Sequence, residues 1–201
     1  MPLDLPKAYE AKTIEAEVYR RWEDAGCFKA GAGRRAGSTP YTIALPPPNV
    51  TGMLHMGHAL NSTLQDTLAR WQRMQGRDVL WQPGTDHAGI ATESVVVKQI
   101  QENQGFLDEL ETTGITGENP PDAAATRTAT GYDRDRFGRT AFLKAVWHWK
   151  AKSGGSIVNQ LRTLGSSCDW SRERFTMDDG LSRAVRVMFA NLHQAGLIYR
   201  G

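Results

Sequence analysis

The chain has 201 residues, of which 40% are hydrophobic and 23% charged, and its formal net charge is +2. This length allows one domain with a proper core, and the composition is that of an ordinary globular protein. The small net charge does not by itself indicate a nucleic-acid-binding protein. No apolar run approaches the roughly 20 residues that span a bilayer, and the N-terminus lacks the apolar core of a secretory signal. We therefore expect no membrane segment and a cytoplasmic location.

Residues 1–40 are predicted to form a helix followed by a flexible loop. Ile14, Val18 and Trp22 recur at intervals of four, which predicts a helix over residues 8–24. The stretch 30–40 is rich in small residues and predicts a loop or hinge. It lacks the Gly-Lys-Ser/Thr ending of a Walker-type phosphate loop.

The next elements follow a strand–helix–strand order. Residues 41–45 are apolar and predict a buried parallel strand, which the three prolines after it end. A helix from about residue 58 to residue 76 is predicted by four apolar residues on one face, Leu60, Leu64, Leu68 and Trp71. Residues 78–81 predict a second strand. This order predicts an α/β fold with a doubly wound, Rossmann-like parallel sheet, in which ligands bind beyond the carboxyl ends of the strands.

His55 and His58 stand at the start of the predicted helix and form a candidate anion site. Free backbone N–H groups and the helix dipole both favour phosphate there, and two imidazoles add donors. From the residues alone, three interpretations remain open: an exposed pair, an ATP site, or a metal site completed by His87. A zinc site would need closely spaced thiolates or carboxylates, and Cys27 offers no such context. We therefore predict no structural metal.

Charge is distributed unevenly in the remaining sequence. Residues 93–122 hold seven acids and one base, and the Gly-, Thr- and Pro-rich stretch at about 103–135 predicts an acidic, mobile surface insertion. Residues 144–201 hold nine bases and four acids. This basic part could face nucleic-acid phosphates or be a solvated helix face.

Two further helices are predicted in the C-terminal third. The first covers residues 142–149, and the second covers residues 181–192 with Asp178 or Asp179 as its N-terminal cap. The apolar residues 197–199 predict the beginning of another strand.

Three sequence blocks together resemble one known family. Residues 46–58 contain Pro-Pro-Pro-Asn-Val-Thr-Gly and end in His-Met-Gly-His, and residues 84–92 are Gly-Thr-Asp-His-Ala-Gly-Ile-Ala-Thr. Residues 165–178 contain Gly-Ser-Ser-Cys-Asp-Trp-Ser-Arg and end in Phe-Thr-Met-Asp. The first block resembles the H-x-G-H signature of class I aminoacyl-tRNA synthetases, and the three together resemble the valyl branch. The isoleucyl and leucyl branches carry Gly-Trp-Asp where this chain has Gly-Thr-Asp.

The resemblance implies an enzyme that uses ATP to convert valine to valyl-adenylate and then acylates the acceptor end of tRNA(Val). Mg²⁺ is expected to arrive with ATP. His55 and His58 are the implied catalytic residues, in contact with the phosphates, and Thr51 and Gly57 complete the expected ATP contacts. Because Gly57 has no Cβ, the adenine could lie against its backbone.

A valine pocket is expected at the second block. The ammonium group of an amino acid needs an acceptor, and a carboxylate supplies charge-assisted hydrogen bonds. Asp86 is the candidate, with Asn49 as a polar partner, and Pro46 and Pro47 as an apolar wall for the side chain. Asp86 could instead cap a helix.

The sequence also departs from the family. Glu93 follows Ala-Thr where the family usually has Gln, and a carboxylate near ATP would repel phosphate. No Lys-Met-Ser-Lys-Ser-like element occurs in the 201 residues. We therefore expect residues 41–201 to be the first half of a catalytic domain, incomplete without its second half. The alternative is a non-enzymatic ATP- or tRNA-binding remnant. Oligomeric state does not follow from the sequence.

Overall fold

The computed structural model describes residues 8–118, 132 and 134–201. Helices and short strands alternate along this part of the chain. The elements in chain order are α1 (Ala11–Asp24), β1 (Pro40–Ala44), α2 (Met56–Met74), β2 (Asp78–Gln82), β3 (Gly84–Thr85), α3 (Ile90–Glu102), α4 (Gln104–Thr112), α5 (Arg134–Phe137), α6 (Arg139–Thr163), β4 (Arg174–Phe175) and α7 (Asp179–Gln194).

Contacts divide the chain into two compact units. Of the described residues, the first unit holds those up to 46 together with 55–83 and 159–173, and the second holds those in 47–54, 84–158 and 174–201. The long helix α6 contributes residues to both. Each unit is described by itself below.

The first unit is built on the predicted strand–helix–strand order. β1 pairs in parallel with β2, from Pro40 opposite Asp78 to Ala44 opposite Gln82, and α2 connects them. Trp81 of β2 is fully buried, and its indole Nε1 donates to Gln65 Oε1 of α2 at 3.1 Å. These three predicted elements are confirmed, and each of their ends lies within two residues of the predicted one.

The apolar stripe that predicted α2 is not covered within this unit. Leu60, Leu64, Leu68 and Trp71 are 46–63% exposed. The buried side of the helix is carried instead by Ser62, Ala69 and Gln72. Apolar periodicity therefore identified the helix without identifying the side that packs in this chain.

The second unit has its own short sheet and the main apolar core. β3 pairs in parallel with β4, with Gly84 opposite Arg174 and Thr85 opposite Phe175. The core cluster comes from α3, α4, α5 and α6. Its buried members are Val96, Ile100, Phe106, Leu107, Leu110, Phe137, Ala141, Phe142 and Ala145.

This core corrects the start of the predicted surface insertion at 103–135. Residues 104–112 form α4, and its Phe106, Leu107 and Leu110 are 0–5% exposed. Asn103 caps the helix by accepting from the Phe106 N–H at 3.1 Å. The acidic residues suggested a solvated segment, but they occupy the outer side of an amphipathic helix. Residues 119–131 and 133, in the middle of the predicted insertion, lie outside the described residues.

The last helix is confirmed with its cap, but it packs little. The Asp178 carboxylate accepts from the Leu181 N–H at 2.8 Å, as an N-cap should. No residue of α7 is buried. Residues 197–199 do not form the predicted strand, because they have no hydrogen-bonded strand partner in the described part of the chain.

The α/β class is confirmed, whereas the single doubly wound sheet is not. The described residues form two separate two-stranded parallel sheets. No helix among them combines the length and apolar character needed to cross a membrane.

Candidate functional site

The histidine pair lies in the first unit, at the start of α2. His55 is the N-cap, and its Nδ1 accepts from the Gly57 N–H at 3.1 Å. The Nδ1 of His58 accepts from the His55 N–H at 3.2 Å, so the two imidazoles form a reciprocal capping box. Their ring centroids are 4.0 Å apart. The sequence folds this way because an imidazole nitrogen can accept the backbone hydrogen bonds that open a helix.

These contacts fix the proton positions on both rings. An Nδ1 that accepts a hydrogen bond carries no proton, so each neutral ring has its N–H at Nε2. Burial lowers the pKa of His58, and the neighbouring His55 lowers it further. The start of α2 therefore offers two Nε2–H donors beside the positive end of a helix dipole, an arrangement suited to an anion.

Gly57 lies under the His55 ring. A Cβ at this position would be 3.0 Å from His55 Cε1 and 3.1 Å from its Nδ1. The missing side chain therefore gives room to the imidazole itself, a reason that sequence analysis did not find. Pro46, also in the first unit, is exposed, and Leu45 before it is buried.

Asp86 lies in the second unit, on the turn that follows β3. Its backbone N–H donates to Pro48 O at 2.8 Å, and its carbonyl accepts from the Val50 N–H at 2.9 Å. Asn49, between them, forms a parallel bridge with Asp86. The structure thus brings the backbones of Asn49 and Asp86 together.

The other predicted residues of this unit surround that bridge in sequence. Pro47 and Asn49 are exposed, Pro48 is buried, and Thr51 is half-buried. Trp149 of α6 donates from Nε1 to Val50 O at 2.8 Å, which holds the segment against the core. The alternative role of Asp86 as a helix cap is not observed, since the N-cap of α3 is Gly89.

Thr176 is a member of this cluster that sequence analysis missed. Its hydroxyl accepts from the His87 N–H at 2.9 Å and lies 3.4 Å from Asp86 Oδ1. The signal was present, because Thr176 belongs to the third sequence block. That block was used to identify the family, with no role given to its residues.

Glu93, where the sequence departs from the family, has an ion-pair partner in this chain. Its carboxylate forms an ion pair with Arg134 of α5 at 3.0 Å. The Arg134 guanidinium also lies over the Phe142 ring, 4.9 Å from its centroid. The carboxylate expected to repel phosphate is therefore paired with a cation.

The first part of the third block belongs to the first unit and has a packing role. The Tyr19 hydroxyl donates to Ser166 O at 2.7 Å, and Asp169, which is 2% exposed, accepts from the Ala30 N–H at 2.9 Å. The Asp169 N–H donates to Trp81 O at 3.0 Å. These residues join α1 and β2 to the segment that follows α6.

A metal centre has no support in the described residues. Across 8–118, 132 and 134–201, no three histidine, cysteine, aspartate or glutamate side chains gather as possible ligands.

Comparison with known families places this chain. The model for class I tRNA synthetases (I, L, M and V) matches residues 17–118 and 108–201, which together cover most of the sequence. The chain belongs to the class I tRNA synthetase family. Its histidine pair and Asp86 turn fall in the segments that carried the resemblance.

Among individual relatives, the chain is similar to bacterial valine–tRNA ligases. It is 56% identical to the enzyme of Nitrobacter winogradskyi and 52% identical to that of Brucella suis, in each case over 98% of this chain. The matched region is the N-terminal part of these relatives. The chain spans 18% and 19% of their respective lengths.

Solved structures show the same fold at lower identity. A LeuRS from Agrobacterium radiobacter K84 (agnB2), determined in a ternary complex with tRNA and LeuAMS, matches 96% of this chain. The TM-score is 0.66, the identity is 21%, and 19% of that protein is covered. A putative arginyl-tRNA synthetase from Campylobacter jejuni matches with a TM-score of 0.52 and 15% identity, over 96% of this chain and 42% of that one. These likenesses support the fold.

Proposed function

We propose that this chain carries ATP and valine contacts of a valine–tRNA ligase, which forms valyl-adenylate and transfers valine to tRNA(Val). The observation that carries this proposal is the identity of 50–56% to valine–tRNA ligases over 98% of the chain. Because the chain spans about a fifth of those enzymes, we propose that it supplies part of the active site.

The histidine pair is the proposed ATP-binding part of the site. Adenylate formation needs positioning and stabilisation of negative charge at phosphorus, and no protein nucleophile. The Nε2–H groups of His55 and His58 supply donors for phosphate oxygens, and Thr51 and Gly57 complete the ATP contacts. Mg²⁺ enters with the nucleotide as its counter-ion.

The Asp86 turn is the proposed amino-acid end. The carboxylate accepts from the ammonium group of valine, and Asn49 provides a neutral polar neighbour. Pro46 and Pro47 supply rigid apolar surface for the branched side chain. The exposed fraction of the Asp86 side chain, 35%, leaves the carboxylate accessible.

The proposal also covers tRNA binding and the form of the sheet. The excess of basic residues over 144–201 suits the phosphates of an acceptor stem. A doubly wound parallel sheet, the finer form of the observed α/β class, is part of the proposal.

The valine assignment is tested by binding of a non-hydrolysable valyl-adenylate analogue with a sulfamoyl linkage, measured by calorimetry on the 201-residue chain. We expect tighter binding than for the isoleucyl analogue. Asp86→Asn should weaken binding by about 10- to 100-fold, since a hydrogen bond to a charged group contributes about 1.5–3 kcal/mol. Asp108→Asn, at an exposed carboxylate of α4, is the matched control. Equal binding of the valyl and isoleucyl analogues, or of Asp86→Asn and the wild type, would contradict this assignment.

The ATP assignment is tested separately with Mg²⁺–ATP. We expect His58→Ala to weaken ATP binding by about tenfold, the factor for one lost hydrogen bond. His193→Ala, at an exposed histidine in the last turn of α7, should leave it unchanged. If both variants bind ATP as the wild type does, the phosphates do not lie at the histidine pair.

A further inference from the structure

The β3–β4 pair brings Thr176 next to Asp86, although 90 residues separate them in sequence. Thr85 is opposite Phe175 in the parallel register, and the Thr176 N–H continues the pairing by donating to Thr85 O at 3.2 Å. The side chain of Thr176 is thereby held at the turn that carries Asp86 and His87. The backbone pairing therefore fixes where the Thr176 side chain begins.

Three polar groups converge on the Thr176 hydroxyl. The His87 backbone N–H donates to Oγ1 at 2.9 Å, His87 Nδ1 lies 2.5 Å from it, and Asp86 Oδ1 lies 3.4 Å from it. A hydroxyl has one proton to donate and two lone pairs to accept with. All three contacts are satisfied at once if the backbone N–H and the ring Nδ1–H of His87 both donate to Oγ1 and the hydroxyl donates to Asp86 Oδ1.

Charge favours this direction over the reverse one. His87 Nδ1 is 3.6 Å from Asp86 Oδ1, so a proton on Nδ1 and a hydroxyl proton turned towards the carboxylate both lie near negative charge. The reverse arrangement would place the bare Nδ1 lone pair beside the carboxylate and withhold the hydroxyl proton from it. The order of donation that charge favours is therefore His87 Nδ1–H to Thr176 O–H to Asp86 Oδ1.

The backbone of His87 is fixed on its other side as well. The Thr92 hydroxyl donates to His87 O at 2.7 Å, and the His87 ring meets the Phe175 ring edge-on with centroids 6.4 Å apart. These contacts hold the His87 backbone and place its ring beside Phe175.

The two carboxylate oxygens of Asp86 differ in their hydrogen bonds. Oδ1 accepts from the Ala88 N–H at 2.8 Å as well as facing Thr176 and His87. No hydrogen bond from the described residues reaches Oδ2. Oδ1 is therefore bonded within the turn, whereas Oδ2 can accept a hydrogen bond from a ligand.

We propose that Thr176 is a positioning residue, which holds His87 as the Nδ1–H tautomer and turns Asp86 so that Oδ2 faces the ammonium group of the amino-acid substrate. This proposal rests on the proposed role of Asp86 in valine binding. The Nδ1–H tautomer leaves His87 Nε2 as an acceptor, a second group suited to an ammonium donor.

The test measures the tautomer directly, without ligand, in the full chain with ¹⁵N-labelled histidine. The ¹⁵N shifts of a neutral imidazole distinguish Nδ1–H from Nε2–H, so the spectra are recorded near pH 8. We expect Nδ1–H for His87 in the wild type and in Thr176→Ser, which keeps the hydroxyl. Thr176→Val removes it and should move His87 towards Nε2–H. The same substitution should also weaken binding of the valyl-adenylate analogue by about tenfold, the factor for one lost hydrogen bond. Thr163→Val, which removes the α6 hydroxyl bonded to Asn159 O, should change neither.

Each outcome decides the proposal. His87 found as Nε2–H in the wild type overturns it, even if Thr176→Val does not fold. An unchanged tautomer in folded Thr176→Val also overturns it. A shifted tautomer with unchanged analogue affinity overturns the substrate part only, and Asp86→Asn then shows whether Asp86 binds the amino acid at all. A shift in Thr176→Val together with weaker binding, both rescued in Thr176→Ser, supports the whole proposal.

Discussion

The histidine pair and the Asp86 turn are built in opposite ways. The hydrogen bonds that shape the pair join His55 to residues no more than four positions away. The Asp86 turn is held by Pro48 and Val50 on one side and by Thr176 on the other. One cluster is made by the start of a single helix, and the other by three separate segments of the second unit.

This difference predicts how each cluster responds to substitution. A helix start needs a cap and little else, so changes at the pair should affect ligand binding more than the free energy of unfolding. The turn requires an unusual backbone path between long-range partners, so changes there should affect stability first. Matched substitutions at the two glycines of these motifs, Gly57 and Gly89, provide the comparison.

The largest effect on stability is expected for Gly89→Ala. Gly89 has φ +53° and ψ −117°, a conformation that an L side chain disfavours. No atom lies within 4 Å of the position of a new Cβ, so the cost comes from the backbone alone. We expect the free energy of unfolding to fall by about 1–3 kcal/mol, measured by urea denaturation.

Gly105→Ala is the control for this substitution in the same unit. Gly105 is exposed within α4, where alanine is favoured over glycine by about 0.5–1 kcal/mol. The two glycine-to-alanine changes should therefore shift the denaturation midpoint in opposite directions. Equal midpoints would show that the Asp86 turn tolerates a side chain at Gly89 and is not conformationally demanding.

The elements that sequence analysis predicted well are those with a local signal. Apolar spacing and caps identified α1, α2 and α7, and Asp178 was named as a possible cap before the structure assigned it. α4 was missed because its acidic outer side dominated the composition of the stretch. Its three buried residues become a pattern only when the partner helices are known.

The candidate site shows the same division. His55, His58 and Asp86 stood out as motif residues, and Asn49, the expected polar partner of Asp86, forms a parallel bridge with it. Thr176 was not assigned, because its role arises from β3–β4 pairing across 90 residues, and no local spacing encodes that pairing. The close approach of the His55 ring to Gly57 was also not predicted, since the atoms that need this space belong to a side-chain rotamer of His55.

Gly57→Ala should affect binding more than stability. The new Cβ would displace the His55 ring, whose Cε1 would lie only 3.0 Å away, and so weaken its cap on the Gly57 N–H. Alanine gains about 1 kcal/mol over glycine within a helix, which offsets this loss. We expect the free energy of unfolding to change by less than about 1 kcal/mol, while Mg²⁺–ATP affinity falls several-fold.

Gly155→Ala in α6 separates the two effects. This exposed glycine has open space around its Cβ position, so the substitution should stabilise the helix and leave ATP affinity unchanged. An ATP affinity that is equal in Gly57→Ala and Gly155→Ala would mean that the orientation of the His55 ring does not matter for the nucleotide.

The smallest expected effect is a pH dependence confined to the start of α2. Burial and His55 keep the pKa of His58 below its unfolded value of about 6.5, so the unfolded state binds more protons in this range. The stabilisation is therefore present above about pH 6.5 and is lost as the pH falls towards the folded pKa. Protonation at Nδ1 also removes the acceptor for the His55 N–H. Hydrogen exchange of the first α2 amides should accelerate as the pH falls through this window, after correction for intrinsic rates.

The start of α7 supplies the contrast, because its cap is a carboxylate. The Leu181 and Phe175 N–H groups and Arg174 hold the pKa of Asp178 below its usual value, so this cap stays ionised well below pH 6. Protection of the Leu181 amide should then be constant over the window in which α2 loosens, and His58→Ala should reduce the pH dependence at α2. Parallel loosening of both helices would instead indicate a change of the whole fold. A response limited to α2 would show that the histidine pair acts as an independent local structure, in contrast to the long-range contacts of the Asp86 turn.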